Sequence, residues 1–261
     1  MSWDLAALPR GEGQVRLEQS GAVARVVIDN PAARNAMSLG MMADLVQIIG
    51  RLEQEELAVV LLSGAGPQAF CAGGDLRSVA AHLMEPEHAA GMCAVMGDAL
   101  DRLSRLSAVV LAAVEGSALG GGAEILSAAD GIVAGAGARI GFIHAALGVS
   151  PGWGGGGRLV RRIGSVRALQ VLTRAERMGA EEARAMGLVD QVVPDGDALL
   201  AAEAWTTQIC KQPTAAVRAA VRLVRAWRDT PTAALEVERE VFCSLWGEPD
   251  HRAALARILR S

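Results

Sequence analysis

Val109-Val110-Leu111-Ala112-Ala113-Val114, followed closely by Ala118-Leu119-Gly120-Gly121-Gly122-Ala123-Glu124, is the stretch whose reading decides the fold. The apolar run reads as a buried strand over 106–114. Three consecutive glycines then let bare backbone approach a ligand, and Glu124 falls in the first turn of a helix over 121–128. A further strand over 131–134 completes a strand–turn–helix–strand unit, so the chain is read as α/β. Beyond it lie Gly141-Phe142-Ile143-His144 and Gly148-Val149-Ser150-Pro151-Gly152-Trp153-Gly154-Gly155. Such a chain can set an oxyanion-stabilising N–H beside a general acid/base.

The same alternation extends toward the N-terminus. Residues 14–17 and 22–28 read as short strands around the Ser20-Gly21 turn, 38–52 carries helical apolar spacing, and 58–63 is a strand stopped by Gly64-Ala65-Gly66-Pro67. From Gly157 the pattern turns helical, with segments at 166–172, 180–186, 199–210, 214–227, 232–246 and 251–259. The expected organisation is a core over 1–195 and a helical region over 196–261.

Composition removes several function classes. With 261 residues, 51% of them hydrophobic, the chain can bury one substantial core. Its 25 basic and 29 acidic residues are interspersed, which leaves no basic stripe for nucleic acid. Cys71, Cys93, Cys210 and Cys243 are widely spaced, arguing against a zinc site or a disulfide framework. No apolar run is long enough for a membrane span, and Met1-Ser2-Trp3-Asp4 lacks the basic start of a secretion signal. A cytoplasmic protein is expected, with no metal.

Two motifs are decoys. Gly148-Val149-Ser150-Pro151-Gly152 fits the pattern of a hydrolase nucleophile elbow, but the residue after the serine must donate an N–H and Pro151 has none. Gly152-Trp153-Gly154-Gly155-Gly156-Gly157 fits a dinucleotide pattern without a strand leading into it, and reads as a flexible turn. His82, His88 and His251 sit in polar surroundings and are read as surface residues. Cys71 is read as a small buried side chain and not as a nucleophile.

Three segments together resemble the crotonase (enoyl-CoA hydratase/isomerase) superfamily: Asn30-Pro31-Ala32-Ala33-Arg34-Asn35-Ala36-Met37, Phe70-Cys71-Ala72-Gly73-Gly74-Asp75-Leu76, and Gly120-Gly121-Gly122 with Glu124 and Asp130. Ala180-Glu181-Glu182-Ala183, Gly187-Leu188-Val189 and Val192-Val193-Pro194 continue the match in order. The resemblance implies a crotonase fold of stacked ββα turns, a C-terminal helical extension that builds trimers or hexamers, and an acyl-coenzyme A substrate. It implies an oxyanion hole from the N–H groups of Gly74 and Gly121. A coenzyme A site is implied at Arg34, Ala36, Ala72, Gly73, Asp75, Leu76 and Arg77. Coenzyme A would be part of the substrate, and no separate cofactor is expected. Arg218, Arg222 and Arg225 share a helical face, read as solvated or as an aid at the 3′-phosphate.

Hydratases of this superfamily carry two glutamates that handle the attacking water and its proton. Glu124 matches the first; His144 stands where the second belongs. Phe142-Ile143-His144 with Ser150-Pro151-Gly152-Trp153-Gly154-Gly155 is most similar to the ethylmalonyl-CoA decarboxylase branch. A substrate with a carboxylate on its α-carbon would be repelled by a second glutamate and attracted by a histidine. The resemblance therefore implies decarboxylation of a short 2-carboxyacyl-CoA, ethylmalonyl- or methylmalonyl-CoA, with Glu124 and His144 facing one another across the acyl group. Enoyl-CoA hydration or isomerisation by the same pair is the alternative, and a catalytically silent acyl-CoA-binding subunit a third.

Overall fold

The structure, a computed structural model, describes residues 9–77, 85–228, 242–243, 246–247 and 249–260. Two sheets form its centre. The larger has the order β1-β2-β3-β5-β7-β10, from β1 (Gln14–Ser20), β2 (Val23–Asp29), β3 (Val59–Gly64), β5 (Val109–Val114), β7 (Gly131–Gly135) and β10 (Gln191–Val193). The smaller has the order β4-β6-β8-β9, from β4 (Ala69–Cys71), β6 (Ser117–Leu119), β8 (Arg139–Gly141) and β9 (Met178–Gly179). Consecutive strands thus alternate between sheets, β3 to β4, β5 to β6, β7 to β8, and a helix returns the chain to the larger sheet after β4 and β6. These are α2 (Pro86–Ser104) and α3 (Gly121–Leu126). Each ββα turn stacks on the one before, with parallel pairing throughout β2-β3-β5-β7 and β4-β6-β8.

The central strands β3, β5 and β7 of the larger sheet are buried on both faces, which explains their unbroken apolar runs. Val26, Leu62, Ala112 and Ile132 lie in one register row and join the main core. One residue along, Val59, Leu61, Leu111, Ala113 and Val133 face the other way and pack with Ala198 and Ala202 of α7 (Ala198–Ile209). The main core is closed by α1 (Leu39–Leu52), whose Ser38 Oγ accepts the Met41 N–H at 3.3 Å and caps the helix. Its Met41, Met42, Leu45, Ile49 and Leu52 recur at helical spacing and are buried.

Several expectations need correction. The strands β4, β6, β8, β9 and β10 were not anticipated. Nor was α2 anticipated, and 78–84 lie outside the described residues. The later helices are α4 (Gly155–Ile163), α5 (Ser165–Arg174), α6 (Ala180–Ala185), α7, α8 (Thr214–Arg228) and α9 (Pro249–Ile258). Most of the expected helix over 232–246 lies outside the described residues. His251 is buried against the Trp246 ring at 4.4 Å between centroids, and its Nδ1 accepts the Gly247 N–H at 2.8 Å. Arg225 is also no surface residue: it is 6% exposed, and its Nη2 donates to Asp130 Oδ2 (2.7 Å) and the Ala108 carbonyl (3.0 Å). It pins α8 to β5, whereas Arg218 is half-buried and donates to the Glu55 carbonyl (3.1 Å), and Arg222 is exposed. Among the described residues no helix is long and apolar enough to cross a membrane.

Candidate active site

Stacking the turns brings the carboxyl ends of β4, β6 and β8 side by side, and Gly73-Gly74, Gly120-Gly121-Gly122 and His144 each follow one of them. Open ends of parallel strands are where α/β folds hold ligands. The segment before α1 is sewn to the one after β4: Ala72 N–H donates to the Arg34 carbonyl (3.0 Å), Met37 N–H to Gly73 (2.7 Å) and Asp75 N–H to Met37 (2.9 Å). This bridge uses the carbonyl of residue 73 and the N–H of residue 75, so the N–H of Gly74 stays outside the ladder. Arg34 and Arg77 are exposed, Ala72, Gly74, Asp75 and Leu76 half-buried, and Ala36 and Gly73 buried.

Asn35, which sequence reasoning gave no role, organises this corner. It is fully buried at φ 57°, a left-handed conformation that asparagine tolerates better than most residues. Its Oδ1 accepts the Asn30 N–H (2.9 Å), and its Nδ2 donates to the Ala69 (2.7 Å) and Ala65 (3.0 Å) carbonyls. Asn35→Ala is expected to cost about 2–4 kcal/mol, because buried backbone groups lose partners. Urea unfolding of both proteins measures it.

The glycine turn after β6 meets the same corner. Gly73 and Gly120, each just before one of the two glycines expected to bind an oxyanion, have φ of 104° and 53°, a region open to glycine. The Gly120 N–H donates to the Gly141 carbonyl (2.9 Å), tying the start of α3 to the end of β8. A methyl group on Gly73 would sit 3.4 Å from the Gly121 nitrogen, so the two turns abut. Gly121 opens α3 and its N–H has no acceptor within the helix.

Glu124 and His144 are brought together, though not with an acyl group between them. His144 Nε2 lies 3.0 Å from Glu124 Oε1, and the two residues are 7% and 2% exposed. His144 is held by its backbone, whose carbonyl accepts from Leu147 (2.8 Å) and Val149 (3.1 Å). Its Nδ1 is buried and has no hydrogen-bond partner among the described residues.

The glycine-rich segment read as a flexible turn is instead a cradle for the Glu124 carboxylate. Gly152 N–H donates to Oε1 (3.3 Å); Trp153 N–H and Gly155 N–H donate to Oε2 (2.7 and 2.9 Å). Gly155 is required here, since a Cβ on it would lie 2.5 Å from Glu124 Cγ. Arg158, 5% exposed in α4, donates to the Trp153 carbonyl (2.6 Å), to Ser127 Oγ (3.1 Å) and to the Glu124 carbonyl (3.4 Å). Neither the cradle nor Arg158 carries a local sequence signal for this role.

Burial alone would raise the Glu124 pKa. The His144 hydrogen bond and charge, the Gly155 N–H and the charge of Arg158 outweigh it and hold the group below 4.5. A carboxyl with a depressed folded pKa adds stability above its unfolded value and loses it as pH falls through the folded one. Glu124→Gln is therefore expected to be less stable at pH 7 by roughly 2–4 kcal/mol. Denaturant titrations should show that difference shrinking as the pH drops below 4.5.

Among the described residues Ser150 Oγ makes only a 3.5 Å contact to the Pro151 carbonyl, as befits a decoy. Burial pushes the Cys71 thiol up to about 12, outweighing its hydrogen bond to Gly73, so the group stays protonated and unreactive. Among the described residues no three His, Cys, Asp or Glu side chains are grouped to hold a metal ion.

Comparison with known proteins agrees with this architecture. Residues 18–258 match the enoyl-CoA hydratase/isomerase family. A Danio rerio protein named ethylmalonyl-CoA decarboxylase is 39% identical over 260 residues, covering 97% of this chain and 85% of its own. A Gallus gallus protein of the same name is 37% identical over 245 residues, covering 92% and 81%. The crystal structure of an enoyl-CoA hydratase/isomerase from Mycobacterium paratuberculosis superposes with a TM-score of 0.85, covering 96% of this chain and 99% of that one at 21% identity, a likeness of fold. Stacked ββα turns, with helices after the core and residues 18–258 matched, place this chain in the enoyl-CoA hydratase/isomerase family, with the crotonase fold.

Proposed function

We propose that this protein decarboxylates a short 2-carboxyacyl-CoA, ethylmalonyl- or methylmalonyl-CoA. The observation that carries the reading is His144, buried with Nδ1 unpartnered, at the position that the sequence resemblance matches to the second glutamate of hydratases. A carboxylate in that place would oppose a substrate carboxylate 4 Å away by about 4 kcal/mol at an effective dielectric of about 20. The names of the Danio rerio and Gallus gallus relatives support the same chemistry.

The Gly74 and Gly121 N–H groups hold the thioester oxygen as it becomes an enolate, and the Glu124–His144 pair supplies the acid–base group. Coenzyme A lies along Arg34, Ala36, Ala72, Gly73, Asp75, Leu76 and Arg77, mostly through main chain. It belongs to the substrate, and the chemistry requires no further cofactor. Residues 196–261 form the assembly region of a homotrimer or hexamer around the 1–195 core, and the protein works in the cytoplasm.

Incubation with ethylmalonyl-CoA and, separately, crotonyl-CoA tests the reading by product mass. Loss of CO₂ from the first supports it. Gain of water by the second without CO₂ release establishes a hydratase, and no change in either establishes a binding subunit.

A further inference from the structure

A carboxylate offers about four lone-pair sites. Those of Glu124 are matched by four nitrogens, His144 Nε2 and the N–H groups of Gly152, Trp153 and Gly155. Nothing is left over with which to bind water or substrate. The same carboxylate accepts only, so the proton in its contact with His144 resides on Nε2, and the tautomer of the ring is thereby set. The ring nitrogen that remains is Nδ1, the buried atom without a partner.

We infer that Glu124 touches no reacting atom and is a positioning residue: held in the residue 152–155 cradle, it fixes the His144 ring with Nε2–H inward and Nδ1 toward the substrate, where Nδ1 alone transfers the proton. The arrangement divides the labour of a buried acid and its histidine, the acid orienting and the histidine moving the proton. The chemical steps rest on the decarboxylation proposed above; the geometric part does not. The bond from the α-carbon to the carboxylate breaks, its electron pair enters the enolate, and CO₂ leaves. A proton that Nδ1 has taken from solvent then passes to the α-carbon, leaving on Nδ1 the lone pair that takes the next one. One proton is consumed for each CO₂ released.

The cradle explains a sequence feature that the reaction itself does not. Pro151 begins the turn with no N–H to place, and residues 152, 153 and 155 supply the three donors. A glutamate acting as acid or base would instead need a free oxygen and a carboxyl poised near neutrality.

The test is nitrogen-15 and carbon-13 NMR of the whole protein with labelled histidine and glutamate, His144 and Glu124 being assigned from His144→Asn and Glu124→Gln. The expected neutral form of His144 carries its proton on Nε2. Adding butyryl-CoA should move the Nδ1 signal and leave the Glu124 carboxyl signal in place, ionised from pH 5 to 8. In Glu124→Gln, the ring should populate both tautomers and kcat for ethylmalonyl-CoA should fall on the order of 10³-fold, with a much smaller change in KM. A Glu124 carboxyl that titrates in that range or shifts on binding, or a His144 proton on Nδ1 facing Glu124, overturns the inference. So does a Glu124→Gln protein that loses turnover while its tautomer is unchanged. If the variant does not fold, the wild-type His144 signals, assigned from His144→Asn, decide alone. Because they require no turnover, they also stand apart from any failure to release CO₂.

Discussion

His144→Glu is expected to lower kcat/KM for ethylmalonyl-CoA by at least about 10³-fold, the range in which a positioned proton-transfer group acts. Two effects coincide. The new carboxyl cannot donate as the imidazole does, and it comes to lie beside Glu124, whose Oε1 is 3.0 Å from the present Nε2. Two carboxylates that close in a buried site cannot both ionise, so they share a proton and the Glu124 anchor is weakened. What charge remains opposes the substrate carboxylate. Restoring the hydratase pair should bring a trace of water addition to crotonyl-CoA. Steady-state rates on both substrates check it, and a variant within tenfold of wild type on ethylmalonyl-CoA would exclude His144 from the chemistry.

Gly121→Val is the second large effect, with turnover falling by 10²-fold or more, about the worth of one oxyanion donor. A Cβ at position 121 would lie 2.4 Å from Trp153 Cζ3 and 2.6 Å from Cη2. The ring is buried and cannot swing aside, so the backbone of α3 or of residue 153 must shift. The first displaces the Gly121 N–H; the second loosens the 2.7 Å bond from Trp153 N–H to Glu124. Overpacking of this kind also costs about 1–3 kcal/mol, visible as a lowered melting temperature. Full activity in a folded Gly121→Val protein would contradict the assignment of that N–H.

The sequence shows most clearly the parts of this molecule that are governed by local pattern. The strands β3, β5 and β7 are apolar on both faces because helices and the second sheet cover them, and α1 announces itself through Ser38 and its helical spacing. The strands β4, β6 and β8 are three residues each, too short to display a period, and exist because the preceding turn offers an edge to pair with. Residues 86–104 concealed a helix behind Gly91 and Gly97, poor helix formers that buried packing overrides.

The pairing of Glu124 with His144 was legible through the family pattern. Their direct contact and the cradle of residues 152–155 were not, for the donors reach Glu124 from 28 to 31 positions away and act through backbone N–H groups that every non-proline residue has. Arg225 and His251 misled for the same reason: a polar side chain reads as surface until a partner such as Asp130 or Gly247 is found in space.

The central claim is that a thioester enolate forms by loss of CO₂ and is protonated at the α-carbon within this site. Ethylmalonyl-CoA carrying carbon-13 in its free carboxyl group, turned over in D₂O, tests it in one measurement. The account predicts labelled CO₂ and butyryl-CoA with one deuterium at the α-carbon, in equal amounts. Unreleased label, with crotonyl-CoA gaining water under the same conditions, would contradict it.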